Sequence, residues 1–102
     1  MVKKVIDCIV EYAQPEAIIL FGSRARGDYK EDSDYDLLIV KDKITNKSKL
    51  IGDLYTEFFK NRVNVAVDLL AVEKEKYIQH RNTIGLVYGE IHKEGKVVYG
   101  TL

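Results

Sequence analysis

The chain has 102 residues, 46% of them hydrophobic, and its 16 basic residues balance its 16 acidic ones. This length and composition predict one folded domain, residues 1–102, with a single hydrophobic core. A net charge of zero provides no overall field that attracts nucleic acid or a membrane surface, so we expect direct binding to neither.

Cys8 is the only cysteine, which excludes an internal disulfide and a cysteine-based zinc site. Its apolar-periodic surroundings predict a small core residue. The N-terminal residues contain no apolar run typical of a signal peptide, and no stretch approaches the roughly 18 apolar residues needed to span a bilayer. We therefore expect a cytoplasmic protein.

Hydrophobic periodicity predicts the elements of the first half of the chain. Apolar residues recur at helical spacing over residues 2–13, and Pro15 ends that helix. Ala17 to Phe21 is a short continuous apolar run, which is typical of a buried strand. A polar loop over residues 22–33 leads to a second strand over residues 34–40.

The second half predicts a helix, a strand, a helix and a short strand. An apolar helical stripe covers residues 50–59, and alternation from Val63 to Val72 predicts the third strand. Helical spacing returns over residues 73–92, and residues 97–99 form a candidate final strand. This order predicts an α/β (α+β) fold in which helices cover a small mixed sheet.

The stretch from Leu20 to Val40 has the chemistry of a metal–triphosphate site. Asp34 and Asp36 stand at i and i+2 on the predicted second strand, so their side chains share a face. Two carboxylates this close repel each other unless a cation lies between them. The Gly22–Ser23 turn precedes them, and exposed backbone N–H groups in such a turn can bind an anion.

Two other readings of this stretch fail on individual positions. Asp28 and Tyr29 stand where a P-loop needs lysine followed by serine or threonine. An EF-hand loop starting at Asp32 would need glycine at Leu37 and glutamate at Lys43. Neither a P-loop nor a calcium loop is therefore predicted.

Asp68 is the only carboxylate inside the third predicted strand, where its neighbours are apolar. A buried carboxylate is costly without a partner or a metal. If the third strand pairs beside the second, Asp68 joins Asp34 and Asp36, and three carboxylates can hold two divalent metals. The alternative is a salt bridge from Asp68 to Arg24 or Arg26, with the other two aspartates solvated.

Gly22-Ser23, ten intervening residues and Asp34-x-Asp36 resemble the motif of the DNA polymerase β-type nucleotidyltransferase superfamily. The strings GSRARG and SDYDLLIV are similar to those of the minimal nucleotidyltransferases (MNT), which are encoded beside HEPN partners in prokaryotes. The resemblance implies a nucleotidyltransferase fold and roles for the matched residues. Gly22 and Ser23 would hold the β- and γ-phosphates of a nucleoside triphosphate.

The resemblance also implies a metal site built from three carboxylates. Asp34 and Asp36 would bind two Mg²⁺ ions, and Asp68 would complete one of the two sites and is a candidate general base. Magnesium suits a set of ligands made only of oxygen. Arg24 and Arg26 are candidates for nucleotide binding or for bracing the carboxylates, and a structural ion pair is the alternative for both.

By this resemblance we expect an antitoxin that transfers AMP from ATP to a tyrosine of a HEPN-family toxin. The alternatives are an antitoxin that only binds its partner, and a transferase that acts on a small molecule or an RNA end. Larger members of the superfamily have a second domain, so we expect a partner or another copy to complete the site, in a homo- or hetero-oligomer. Five aromatic residues could supply an exposed patch, although helical spacing favours the core for most: Tyr55, Phe58, Phe59, Tyr77 and Tyr88.

Overall fold

A computed structural model describes residues 2–83 and 86–102. Its helices and strands follow in the order α1 (Val2–Ala13), β1 (Ala17–Phe21), α2 (Ser23–Arg26), β2 (Tyr35–Lys41), α3 (Lys47–Lys60), β3 (Val67–Glu73), α4 (Lys74–His80), α5 (Val87–Glu94) and β4 (Lys96–Gly100). The predicted first helix and first strand are confirmed to the residue.

The four strands form one mixed sheet in the order β3-β2-β1-β4. β1 runs antiparallel to both β2 and β4, whereas β2 and β3 are parallel. A parallel pair requires a crossover connection between its strands, and α3 provides it. The predicted mixed α/β sheet is therefore confirmed, with β3 beside β2.

Helices cover both faces of the sheet. α1 and α3 pack on one face against side chains such as Ile18, Leu37 and Ile39, and Cys8 is buried there as predicted. Tyr77 of α4 and Ile91 of α5 pack on the other face. Since both faces are covered, the central strands are continuous apolar runs. Within the described ranges no helix is long and apolar enough to cross a membrane.

The third strand is shorter than its alternation predicts. It begins at Val67 instead of Val63. Val67 pairs with Tyr35, the first residue of β2, and the Tyr35 N–H donates to the Ala66 carbonyl at 2.9 Å. No earlier residue of β2 is available to extend the parallel ladder to residues 63–65. Val63 and Val65 still pack against the core, which explains why their alternating pattern resembles a strand.

The predicted helix over residues 73–92 is instead two helices. α4 ends at His80, the backbone N–H of Thr83 bonds to the His80 carbonyl, and α5 begins at Val87. Each short helix buries one large side chain against the same face of the sheet, Tyr77 from α4 and Ile91 from α5. A single straight helix would not necessarily bury both side chains there. Ile84 and Gly85, which the predicted helix also included, lie outside the described residues.

Candidate active site

The segment after β1 contains a helical turn that the sequence predicted as loop. Gly22 precedes α2 with φ 71° and ψ −157°, and its carbonyl accepts from the N–H groups of Ala25 and Arg26 at 3.1 and 3.0 Å. Gly27 ends the turn in the left-handed region and donates its N–H to the Ser23 carbonyl. The first N–H groups of a helical turn have no acceptor within it, so those of Ser23 and Arg24 can serve an anion.

Asp36 and Asp68 lie directly opposite each other on the parallel strands β2 and β3. Residues in register on neighbouring strands project to the same face of the sheet, so the two carboxylates approach each other. Burial raises the pKa of the Asp36 carboxyl, and the charges of Asp68 and then Asp34 raise it further. The nearby positive charge of Arg26 partly offsets this increase.

The Gly22 turn and the Asp36 carboxylate are in close contact. Phe21, the last residue of β1, pairs with Asp36 across the antiparallel ladder, and this places Gly22 beside the aspartate side chain. A Cβ atom built on Gly22 would overlap Asp36 Oδ2 and lie 3.0 Å from Asp36 Cγ. Glycine is therefore required at position 22 both by the backbone conformation and by the neighbouring carboxylate.

Asp68 is more exposed than the sequence predicts, and Asp34 is exposed as well. The sequence placed Asp68 in a buried strand, but its side chain is exposed, at the second residue of β3, which is an edge strand of the sheet. Asp34 is exposed and immediately precedes β2, which begins at Tyr35 rather than at Asp34. The half-buried Asp36 thus lies beside two carboxylates that solvent can reach.

Arg26 connects the turn to the rest of the molecule. Its guanidinium forms ion pairs with Glu94 at 3.2 Å and with Asp28 at 3.4 Å. Glu94 lies at the end of α5, far away in the sequence, so this contact was missed by sequence reasoning. The hydrogen bond to Glu94 and the charge of Asp28 raise the pKa of Arg26, which stays charged and acts on Asp36.

Arg24 is held by the loop that follows α2. Its guanidinium carbon lies 4.4 Å from the ring centroids of both Tyr29 and Tyr35. Its side chain also donates hydrogen bonds to the carbonyls of Ser33 and Glu31. Sequence reasoning did not single out the two tyrosines, because the spacing of aromatic residues in an irregular loop does not determine where their rings lie.

The carboxylates suit a hard divalent cation by their chemistry. Among residues 2–83 and 86–102, no three histidine, cysteine or carboxylate side chains form a ready metal site. Mg²⁺ commonly uses only one or two carboxylates together with water and substrate phosphate oxygens. A cation near Asp36 and Asp68 would also relieve the repulsion that raises the pKa of Asp36. The donor set therefore fits magnesium.

The aromatic residues considered as a partner surface do not form one patch. Phe58 is buried among the residues of α1 and α3, and Tyr77 is buried on the opposite face of the sheet. Tyr88 is half-buried, whereas Tyr55 is 41% exposed and Phe59 is 85% exposed. Phe59, at the end of α3, is therefore the one large aromatic residue of this set that is almost fully open to solvent.

Comparison with known proteins identifies the class to which this fold and turn belong. Residues 3–101 match the family model described as Polymerase beta, Nucleotidyltransferase. The chain therefore belongs to this nucleotidyltransferase family, as the motif predicted. It is a family of enzymes, and one relative of this chain is named for protein adenylylation.

Three similar proteins agree with this assignment. The "Putative protein adenylyltransferase MJ0604" of Methanocaldococcus jannaschii is 35% identical over 82 residues, which cover 80% of this chain and 76% of the relative. A crystal structure of "a putative nucleotidyltransferase from Sulfolobus solfataricus" has a TM-score of 0.64 at 20% identity, covering 97% of this chain and 77% of the other. A crystal structure of "the toxin-antitoxin with AMP-PNP" has a TM-score of 0.64 at 19% identity, covering 97% and 73%. The two structural matches establish the fold.

Proposed function

We propose that this protein transfers AMP from ATP, with Mg²⁺, to a tyrosine hydroxyl of a HEPN-family toxin and is thereby the antitoxin of that toxin. The observation that carries the proposal is the pairing of Asp36 with Asp68 beside the Gly22–Ser23 turn. The relative named as a protein adenylyltransferase supports a protein acceptor. The structural neighbour crystallised as a toxin–antitoxin with AMP-PNP supports a toxin partner and an adenine nucleotide.

In this proposal each matched residue has one task. Gly22 and Ser23 hold the β- and γ-phosphates through backbone N–H groups and the serine hydroxyl. Asp34 and Asp36 would hold two Mg²⁺ ions, and Asp68 would complete one of the two sites. Bound Mg²⁺ would neutralise phosphate charge and lower the pKa of the attacking hydroxyl.

The transfer is a substitution at the α-phosphorus. The acceptor oxygen forms a bond to this phosphorus, the bond from the α-phosphorus to the bridging oxygen breaks, and pyrophosphate leaves. Asp68 accepts the proton of the acceptor hydroxyl, a task to which its exposed position on the edge strand is suited. The other residues act by positioning and charge neutralisation, which supply most of the catalysis in phosphoryl transfer.

The proposal is tested by incubating the protein with ATP, Mg²⁺ and the HEPN protein encoded beside it. We expect mass spectrometry to show the mass of AMP added to a tyrosine of the partner. Asp34→Asn and Asp36→Asn should each reduce transfer by at least about 100-fold, since each removes a carboxylate charge proposed to hold the Mg²⁺ ions that bind the phosphates. Asp42→Asn is the matched control, because Asp42 is exposed and lies at the opposite end of β2.

Three results would contradict the proposal in different ways. Tight binding of the partner without a change in its mass would indicate an antitoxin that acts by occlusion. Transfer of AMP to an RNA end or to a small molecule, but not to the partner, would indicate a different acceptor class. Full activity of Asp34→Asn or Asp36→Asn would remove the carboxylates from the mechanism altogether.

A further inference from the structure

The guanidinium of Arg24 contacts two aromatic rings. Its guanidinium carbon is 4.4 Å from the centroid of Tyr29 and 4.4 Å from the centroid of Tyr35. Arginine suits such a position because its planar cation stacks on aromatic faces while its N–H groups donate in the plane. Tyr29 lies near the start of the loop over residues 27–34 and Tyr35 directly follows the loop as the first residue of β2, so Arg24 joins the two ends of the loop.

The hydrogen bonds of Arg24 also go to this loop. Nε and Nη2 donate to the same Ser33 carbonyl at 3.2 and 3.0 Å, and Nη2 also donates to the Glu31 carbonyl at 3.1 Å. Ser33 in turn accepts from the backbone N–H of Lys30 through its hydroxyl and donates its own N–H to the Lys30 carbonyl. The loop is thus folded around the guanidinium.

The position of Arg24 in the chain gives these contacts a consequence for the site. Arg24 directly follows Ser23, and its main acceptor, Ser33, directly precedes Asp34. The guanidinium therefore links the turn proposed to hold phosphate with a carboxylate proposed to hold metal. Arg24 Nε and Nη2 both donate to the Ser33 carbonyl, and these two bonds fix the residue that precedes Asp34 relative to the turn.

We infer that Arg24 is a positioning residue, which holds Asp34 in register with the Gly22–Ser23 turn and does not bind phosphate through its charge. The inference rests on the proposed function for the role of Asp34. The Arg24 guanidinium already contacts two aromatic rings, and two of its three nitrogens donate to loop carbonyls. A phosphate ligand would instead need these N–H groups to be directed at the nucleotide.

Three variants separate positioning from phosphate binding. Arg24→Lys keeps the positive charge but loses the planar stacking and the paired donation to one carbonyl. Tyr29→Leu removes one ring without changing any charge, and Tyr29→Phe is its matched control because it keeps the aromatic face. Positioning predicts that Arg24→Lys and Tyr29→Leu are both impaired, whereas phosphate binding by charge predicts that both are nearly normal.

The kinetic expectation is a loss in kcat rather than in nucleotide affinity. Arg24→Lys and Tyr29→Leu should each lower kcat by about 10- to 100-fold and raise the Mg²⁺ concentration needed for half-maximal transfer, as changes to residues that orient metal ligands do. KM for ATP should change by less than about 3-fold, and Tyr29→Phe should match the wild type. The double variant should be no worse than about the stronger single variant, because the two residues act as one unit.

Hydrogen exchange measures the anchoring without any activity. In Arg24→Lys and Tyr29→Leu the amides of Lys30 and Ser33 should exchange faster by at least about 10-fold, while those of β1 are unchanged. If the wild type transfers no AMP but the amides of Lys30 and Ser33 exchange faster in the variants, the proposed function fails and the anchoring of the loop by Arg24 stands. Normal kcat in Arg24→Lys, an effect confined to KM for ATP, or unchanged exchange in the loop would each overturn the inference. Should Arg24→Lys not fold, the comparison of Tyr29→Leu with Tyr29→Phe decides alone.

Discussion

Gly22 is in contact with the carboxylate of Asp36, and the space that a Cβ atom of residue 22 would need is occupied by Asp36 Oδ2. This contact joins the two halves of the candidate site, since Gly22 begins the turn after β1 and Asp36 lies on β2. The backbone of Gly22 also has a combination of φ and ψ that is nearly restricted to glycine. Glycine is therefore required at position 22 for two reasons: the contact with Asp36 and the backbone conformation.

The first prediction compares alanine substitutions at two glycines with positive φ. Gly22→Ala should destabilise the fold by about 2–4 kcal/mol, since it adds steric overlap with Asp36 to backbone strain. Gly27→Ala is the matched control: its φ is 92°, but a Cβ there meets nothing within 4 Å, so strain alone should cost about 1 kcal/mol. Thermal unfolding measures both, and equal losses would show that contact with Asp36 has no energetic role.

The second prediction concerns the stability cost of Asp36. Because the pKa of its carboxyl is raised in the folded protein, the native state holds this proton more tightly than the unfolded state. The contribution of Asp36 to stability therefore falls as the pH rises from the ordinary aspartate range through the raised pKa. Asp36→Asn should raise Tm at neutral pH, by the order of a few °C, while it abolishes transfer.

The pH dependence supplies the control for this prediction. The gain in Tm from Asp36→Asn should shrink toward zero as the pH is lowered below the raised pKa, because the protonated aspartate is as neutral as asparagine. Asp42→Asn, at an exposed site, should show no such trend. A Tm gain that does not change with pH would contradict an origin in the ionisation of Asp36.

The third prediction concerns the contact between α1 and α3. Tyr12 donates its hydroxyl proton to Asp53 Oδ2 at 2.6 Å, and Lys49 Nζ lies 2.8 Å from the same oxygen. The hydrogen bond from Lys49, followed by that from Tyr12, lowers the pKa of Asp53. Lys49→Gln should therefore raise this pKa more than Tyr12→Phe does, which an NMR titration can measure.

Tyr12→Phe and Lys49→Gln should both lower the free energy of unfolding above the ordinary aspartate range of pH. A depressed carboxyl pKa contributes stability above the ordinary aspartate range, and that contribution is lost as the pH falls through the depressed value. Wild type and Tyr12→Phe should thus converge in Tm in acid. Transfer activity should be unaffected, because Tyr12 lies on α1 and outside the candidate site. A larger pKa change for Tyr12→Phe than for Lys49→Gln would reverse the assigned order.

The fourth prediction uses two glycines outside the site. Gly52 lies inside α3, and a Cβ atom at this position would meet nothing within 4 Å, so Gly52→Ala should stabilise the protein by about 0.5–1 kcal/mol. Gly95 has a φ of −75°, but a Cβ there would overlap the Ile91 carbonyl and lie 2.6 Å from Ile19 Cγ2. Gly95→Ala should lower Tm, and opposite signs for the two variants are the expected result.

The sequence alone was sufficient for features that depend on near neighbours. Helical apolar spacing predicted α1 and a continuous apolar run predicted β1, both to the residue, because each signal lies within the element's own segment. The Gly22–Ser23 turn and the Asp34-x-Asp36 pair identified the nucleotidyltransferase family, because their chemistry lies within one short segment. The central strands were likewise visible as unbroken apolar runs.

Only the tertiary structure decided which distant residues meet. Asp68 stands opposite Asp36 because β3 pairs in parallel with β2, and the same edge position leaves Asp68 exposed rather than buried. β3 begins at Val67 because β2 begins at Tyr35, a limit set by the partner strand and not by the alternation of residues 63–66. Arg24 was a candidate for nucleotide binding or for bracing the carboxylates, with a structural ion pair as the alternative. Its contacts with the rings of Tyr29 and Tyr35 and with Ser33 came only from the structure, since loop geometry has no period from which such contacts can be predicted.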